Sequence, residues 1–328
     1  SALGQPDKEP AEGPGYMRKL ASVSALKTTG ADIEDAGDLV PPAEKLIARV
    51  RSRLTTFFRR SGKGVESPLA SDVEVGEVHN LDKLVPYSKR VMQKVQDVLA
   101  SGRKALTVGG DHSIAMATIA GALEHFKGDL GVIWVDAHGD INLPKYKDRG
   151  SHSGNAHGMP VAHLMGLEGT NPELAGLVSK GNQLKPKNII YIGLKDLDPE
   201  EMAYLDSMGI TYFTVENSTP AQLTEICRKI DELQDRVGQM WSSIDLDGID
   251  QSVAPGTRMR NKGGISYEMI TALAQYIGVT TNLVGMDIAE FAPKFDHPDD
   301  KTAKLVLELA ARQLGGSKKR FDETAYFG

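Results

Sequence analysis

The 328-residue sequence holds one cysteine, Cys227, so no disulfide can close within the chain. The simplest expectation is a reducing compartment, with Cys227 a small core residue of a helix. No run of about 18 apolar residues occurs, which removes a membrane-spanning helix. Positive charge is not in excess: 38 Lys plus Arg stand against 44 Asp plus Glu, a formal net charge of -6. No basic footprint for nucleic acid or an anionic membrane exists, and a small cationic substrate is favoured. Repeats, linkers and breaks in composition are missing as well. With 40% hydrophobic and 25% charged residues, the chain reads as one globular domain over 1–328. It opens on Ser1 rather than methionine, so a removed targeting peptide stays open. The expected location is the cytoplasm, with the mitochondrion as the other compartment.

What is present is an alternation. Ala105–Val108, Leu130–Val135, Asn188–Ile192, Ile210–Val215, Met240–Asp245 and Asn282–Asp287 are short runs rich in β-branched and aromatic residues, bounded by Gly, Asp or Asn. They predict strands buried on both faces. Helical spacing occupies Tyr87–Leu99, Ser113–Phe126, Pro220–Leu233, Ser266–Tyr276 and Lys301–Leu314, and an ordered loop from Gly4 to Pro14 leads to a helix at Tyr16–Leu20. The alternation predicts an α/β fold with a parallel sheet and helices on both faces, because parallel neighbours need crossover connections. Ligands of such sheets gather beyond the carboxyl ends of the strands. The polar clusters Gly110-Asp111-His112-Ser113, Asp136-Ala137-His138-Gly139-Asp140, Asp196-Leu197-Asp198 and Asp245-Leu246-Asp247 all fall there.

Asp136-x-His138-x-Asp140 sets three candidate metal ligands at alternate positions after a strand, where extended backbone aims alternate side chains to one side. Asp245-x-Asp247 repeats the arrangement, and His112 adds a second imidazole. Taken singly, His112 reads as a surface or hydrogen-bonded histidine, and an Asp-x-Asp pair as a cap or a solvated loop. Their joint occurrence at three strand ends argues for a metal centre. Four carboxylates balance two divalent cations, and oxygen-rich ligands with some imidazole suit Mn²⁺ better than a thiolate zinc site, with Co²⁺ and Zn²⁺ as competitors.

Together Gly109-Gly110-Asp111-His112-Ser113, Asp136-Ala137-His138-Gly139-Asp140 and Ser243-Ile244-Asp245-Leu246-Asp247 resemble the metal signatures of the ureohydrolase family, which contains arginases and agmatinases. The resemblance runs from Gly4-Gln5-Pro6 to Gly285-Met286-Asp287-Ile288-Ala289-Glu290. It implies one Mn²⁺ on His112, Asp136, Asp140 and Asp245, and a second on Asp136, His138, Asp245 and Asp247. It also implies a single three-layer α/β/α domain with a mostly parallel, doubly wound sheet, assembled as a homotrimer.

Within the family, Ser153-Gly154-Asn155-Ala156-His157-Gly158 is similar to the arginase loop that binds the α-carboxylate of L-arginine through its Ser and Asn. Asp196-Leu197-Asp198-Pro199-Glu200-Glu201 resembles the segment that recognises the α-amino group through the second Asp and last Glu. Asn142, Ser153, Asn155, Asp196, Asp198, Glu201 and Glu290 are therefore the candidate substrate residues. Without the family, Ser-Gly-Asn is an ordinary turn and Asp-Pro-Glu-Glu an ordinary helix start.

The expected reaction is hydrolysis of L-arginine to L-ornithine and urea by a hydroxide shared between the two cations. Asp140 would accept its hydrogen bond, Glu290 would pair with the guanidinium, and His157 would shuttle a proton to the leaving amine. Agmatine or guanidinobutyrate hydrolysis, and a noncatalytic arginase-like protein, are the alternatives. The sequence also departs from the family pattern. Lys145-Tyr146-Lys147-Asp148-Arg149 lies in a longer loop near the substrate mouth. Pro255-Gly256-Thr257-Arg258-Met259-Arg260 puts Met259 where an arginase has threonine, and Asp250 is followed by Gln251 instead of proline. His79, His125, His152, His163 and His297 read as surface or packing residues.

Overall fold

The computed structural model describes residues 2–6, 8–20, 22–27, 32–41, 77–144, 153–197, 199–260 and 262–315. Among them one open sheet forms from β1 (Ala105–Val108), β2 (Leu130–Val135), β3 (Ile189–Leu194), β4 (Thr211–Thr214), β5 (Gln239–Asp245) and β6 (Leu283–Ala289). Every pairing is parallel and the strand order is β1-β6-β5-β2-β3-β4. From β2 the chain moves outward to β3 and β4, then crosses back to β5 and moves the other way to β6. The winding therefore reverses between β2 and β5, the point at which open parallel sheets place their ligand crevice.

Strand side chains alternate between two cores. Ile133 and Val135 of β2 pack with α8 (Leu223–Gln234), α9 (Tyr267–Thr280) and α10 (Lys301–Leu314) on one face. Val132 and Trp134 pack with α3 (Leu81–Ala100), α4 (Ile114–His125) and α5 (Pro160–Met165) on the other. Gly285 is required by the packing of β5 against β6: a Cβ there would lie 2.3 Å from the Trp241 ring. Ser266 caps α9 as its sequence suggests, accepting a hydrogen bond from the Met269 amide.

The structure shifts some boundaries. Helix α3 begins at Leu81 rather than Tyr87, because Leu84 and Val85 are buried and extend it back past Pro86. Helix α1 spans Gly13–Lys19, with Pro14 in its first turn where its missing N–H costs nothing. Helix α2 follows at Ser22–Lys27. Cys227 does lie in a helix, α8, but it is half-buried and not a core residue: the buried stripe of α8 is Ile226, Ile230 and Leu233. Burial still pushes its thiol up to about 11.

Candidate active site

Strand register assembles the site. Val135 pairs with Ile244, so Asp136 and Asp245 emerge side by side from β2 and β5. Asp245 pairs with Ala289 and Val108 with Ile288, which brings Glu290 and the Gly109–Ser113 loop to the same edge.

His112 Nδ1 lies 3.0 Å from Asp136 Oδ2, 3.0 Å from Asp140 Oδ2 and 3.2 Å from Asp245 Oδ2. One imidazole proton cannot serve three acceptors, whereas a divalent cation suits one nitrogen and several carboxylate oxygens together. A second group adjoins it: His138 Nδ1 is 3.3 Å from Asp136 Oδ1 and 3.5 Å from Asp247 Oδ2. Asp136 thus belongs to both groups, one oxygen to each. The second oxygen of Asp245 accepts the Asp247 amide at 2.8 Å. Asp136, Asp140, Asp245, Asp247 and Glu290 are all buried, while no lysine or arginine is buried among the described residues. Carboxylates held out of water in this way are paired or coordinate metal.

The imidazole tautomer is set from behind. Ser243 Oγ donates to Asp287 Oδ1 at 2.6 Å, so the 3.0 Å contact between His112 Nε2 and Ser243 Oγ has Nε2–H as the donor. When a bound metal takes the place of the Nδ1 proton, the imidazole turns its Nδ1 lone pair towards the three carboxylates, the orientation a metal ligand needs. Asp287, fully buried, also accepts Trp241 Nε1 at 2.6 Å and Thr118 Oγ1 at 2.8 Å. Trp134 Nε1 donates to Asp136 Oδ2 at 3.0 Å.

Titration follows this crowding. Burial works against charge on His112, yet hydrogen bonds to Asp136, Asp140 and Asp245 carry it well above the usual imidazole range. His138 is raised too, burial being outweighed by Asp247 and Asp136. Burial would raise Asp136, but hydrogen bonds from His112 and His138 hold it below the usual carboxylate range. Asp140 is pushed up to about 8 by burial and by the charge of Asp136. Asp247 and Glu290 rise well above the usual range through burial and the charge of Asp245.

Glu290 follows β6 in a left-handed backbone conformation, φ 63°, which is uncommon for this residue type. Its N–H donates to Gly110 O at 2.8 Å. Its Oε1 accepts the His112 amide at 2.9 Å and its Oε2 accepts Gln5 Nε2 at 3.0 Å. His157 Nδ1 stands 3.9 Å from Glu290 Oε1 with its side chain 34% exposed, and burial lowers its pKa. Asp140, at φ 47°, gives its carbonyl to the Val161 amide.

The other candidates are more scattered. Ser153 Oγ accepts the Asn155 amide at 3.2 Å, and His79 Nδ1 lies 3.2 Å from Asn155 Oδ1. His79 is exposed, as expected, and packs its ring on the Asn155 side chain. The Asn142 amide donates to Gly158 O at 3.0 Å, tying it to the His157 turn. Glu201 is buried in the first turn of α7 (Pro199–Ser207), beneath Gly139, and accepts the Ile141 amide at 3.4 Å. Asp196 is exposed, its amide bonded to Ala137 O. Asp198, His152 and the segment 145–149 lie outside the described residues. Met259 is 54% exposed on a loop that Asp250 closes by accepting the Ser252 and Gly263 amides. His163 is buried, and His125 stacks edge-on against Phe126. Gln5, Ser243 and Asp287 join the site although their side chains carry no ligand signal in the sequence: register pairs Ser243 with Asp287 across β5 and β6, and the N-terminal loop, bonded to Asp111 and His157 through Gly4, brings in Gln5.

A family model described as "Arginase family" matches residues 3–315. The chain belongs to the arginase family. It is 30% identical to the arginase of Bacillus subtilis over 313 residues, 95% of this chain and 94% of that protein. The structure of the Bacillus caldovelox arginase superposes with a TM-score of 0.80 at 29% identity, covering 97% of both chains. The Entamoeba histolytica arginase, solved in complex with L-ornithine, gives a TM-score of 0.77 at 26% identity, covering 95% of this chain and 94% of that one. As an arginase-family chain, the protein shares with these relatives an open, parallel, helix-flanked sheet.

Proposed function

We propose that this protein is an arginase: a manganese-dependent hydrolase that converts L-arginine and water to L-ornithine and urea. The observation that carries the reading is the convergence of Asp136, Asp140 and Asp245 on His112 Nδ1, with His138 and Asp247 adjoining through Asp136. His112, Asp136, Asp140 and Asp245 would hold one Mn²⁺, and Asp136, His138, Asp245 and Asp247 the other. Two such cations, when bound, acidify water towards neutrality and so provide a nucleophile for a guanidinium carbon that water alone attacks poorly.

The protein's own residues do the rest. Asp140 accepts a hydrogen bond from the attacking water and orients it. Glu290 pairs with the guanidinium in a charge-assisted contact that fixes the carbon opposite the nucleophile. The C–N bond to the side-chain nitrogen breaks, urea departs, and His157 delivers a proton to the leaving amine. Lowered by burial, its imidazole releases a proton readily. Ser153 and Asn155 would bind the α-carboxylate, and Asp198 and Glu201 would recognise the α-amino group, with Asn142 and Asp196 as further substrate residues. The same reading takes the chain as one domain, assembled as a homotrimer in the cytoplasm.

Met259, exposed where an arginase has threonine, favours a second reading: a ureohydrolase for agmatine or guanidinobutyrate with the same metal centre. Urea release from L-arginine and from agmatine, with Mn²⁺-loaded and chelated protein, separates the two. Manganese-dependent turnover of arginine alone is expected. Preference for agmatine keeps the metal chemistry and removes the carboxylate assignments. Activity that survives full chelation removes the metal centre.

A further inference from the structure

We propose that Gln5 is a positioning residue for Glu290, so that the start of the chain sets the aim of the guanidinium-binding carboxylate. The inference rests on the role proposed for Glu290. Gln5 is only 7% exposed, and its Nε2 donates to Glu290 Oε2 at 3.0 Å. The other oxygen, Oε1, takes the His112 amide at 2.9 Å. With Glu290 in a left-handed conformation beyond the end of β6, sheet pairing does not orient its side chain, and these two hydrogen bonds do. A carboxylate has about four lone-pair sites. Two are engaged here, which leaves two for a guanidinium.

Gln5 is itself held on a short leash. Asn80 Nδ2 donates to Leu3 O at 3.0 Å, Gly4 N donates to Asp111 Oδ2 at 3.2 Å, and the His157 amide donates to Gly4 O. A Cβ at Gly4 would stand 2.3 Å from Asp111 Oδ1, so the segment lies flush on the loop that carries His112. Consecutive residues thus bond to the start of α3, the loop after β1, the His157 turn and the end of β6. The chemistry of the side chain matters too. A neutral amide holds Glu290 without cancelling its charge, whereas a lysine or arginine there would occupy the carboxylate in place of the substrate.

The test is a double-mutant cycle of Gln5→Met and Glu290→Gln in Mn²⁺-loaded protein, read by kcat, KM, metal content and circular dichroism. Gln5→Met keeps the volume and removes the donor. The expected result is native circular dichroism and metal content, a raised KM for L-arginine, and kcat/KM lower by about 10- to 100-fold, the range for a hydrogen bond to a charged group. In the Glu290→Gln background the same change adds less than about threefold, since coupled residues are not additive. Gln5→Ser repeats the cycle if Gln5→Met does not fold. Turnover within about twofold of the parent, or an equal loss in both backgrounds, overturns the proposal. Wild-type protein that cleaves no guanidino compound removes the proposed function and this role with it; an active wild type indifferent to Gln5 removes this role alone.

Discussion

Replacing Asp287 with asparagine tests whether the buried network behind His112 matters to the metal centre. The carboxylate accepts three hydrogen bonds, from Ser243 Oγ, Trp241 Nε1 and Thr118 Oγ1. Asparagine has the same shape but one oxygen. With that oxygen kept towards Trp241 and Thr118, which share Oδ2, the new NH₂ faces Ser243 Oγ. The serine oxygen then accepts, and its proton turns to His112 Nε2. Nε2 becomes the acceptor, the imidazole proton moves to Nδ1, and the atom facing Asp136, Asp140 and Asp245 loses its lone pair. The opposite amide orientation gives up the Trp241 and Thr118 bonds and costs more. Loss of such support weakens metal affinity by about 10- to 100-fold, or roughly 1.4–2.8 kcal/mol. Calorimetric titration of the metal-stripped variant with Mn²⁺ is the assay. The step assigned to His112 should weaken while that of His138 and Asp247 stays in place. Ser243→Ala, which removes the acceptor for Nε2–H, should weaken the same step. Two unchanged steps, or equal weakening of both in a folded variant, would refute the tautomer argument.

Other consequences can be checked singly. His157→Ala should lower kcat for L-arginine by at least about 100-fold with Mn²⁺ content unchanged; unaltered turnover takes His157 out of the mechanism. Asn155→Ala should raise KM for L-arginine about tenfold, the weight of one hydrogen bond to a charged group, and leave agmatine untouched, so that an equal loss on both substrates sinks the carboxylate assignment. His163 concerns stability. Its ring is buried, Nδ1 donates to Met159 O at 2.8 Å, Nε2 accepts the Asn171 amide at 3.1 Å, and burial pushes it down from 6.5 to about 4. Between these values the unfolded chain binds a proton that the folded chain refuses. Stability therefore falls as pH drops through this window, by at most about 3 kcal/mol. Urea unfolding of wild type and His163→Gln at neutral pH and near pH 4.5 should show a shallower acid loss in the variant; parallel losses contradict the linkage.

Much of this protein was legible as pattern. Alternating short apolar runs and helical stretches are local signals, and they marked the six described strands. The expected burial of both faces holds for β2, β3 and nearly all of β5 and β6, which read as continuous hydrophobic segments. It does not hold for the edge strands, where β4 is half-buried throughout and β1 is buried at Ala105 alone. The candidate ligands were legible for a related reason: Asp136, His138 and Asp140, like Asp245 and Asp247, sit within a few positions of one another, and a strand end is the site an open α/β sheet offers. Only the tertiary structure decided which strands are neighbours. Strand order depends on crossovers that the run of residues does not encode locally, so the adjacency of β2 and β5, and with it the meeting of Asp136 with Asp245, emerged from the register. The same holds for the residues without a ligand's chemistry. Ser243, Asp287 and Gln5 have ordinary side chains in ordinary motifs, and their parts arise from contacts spanning 44, 131 and 285 positions along the chain. The amino-acid sequence by itself determined the strand and helix alternation, the candidate ligands and the family; long-range packing decided the short helices α2 and α5, which nitrogen of His112 faces the carboxylates and what holds Glu290, since these depend on partners that meet only once the sheet has assembled.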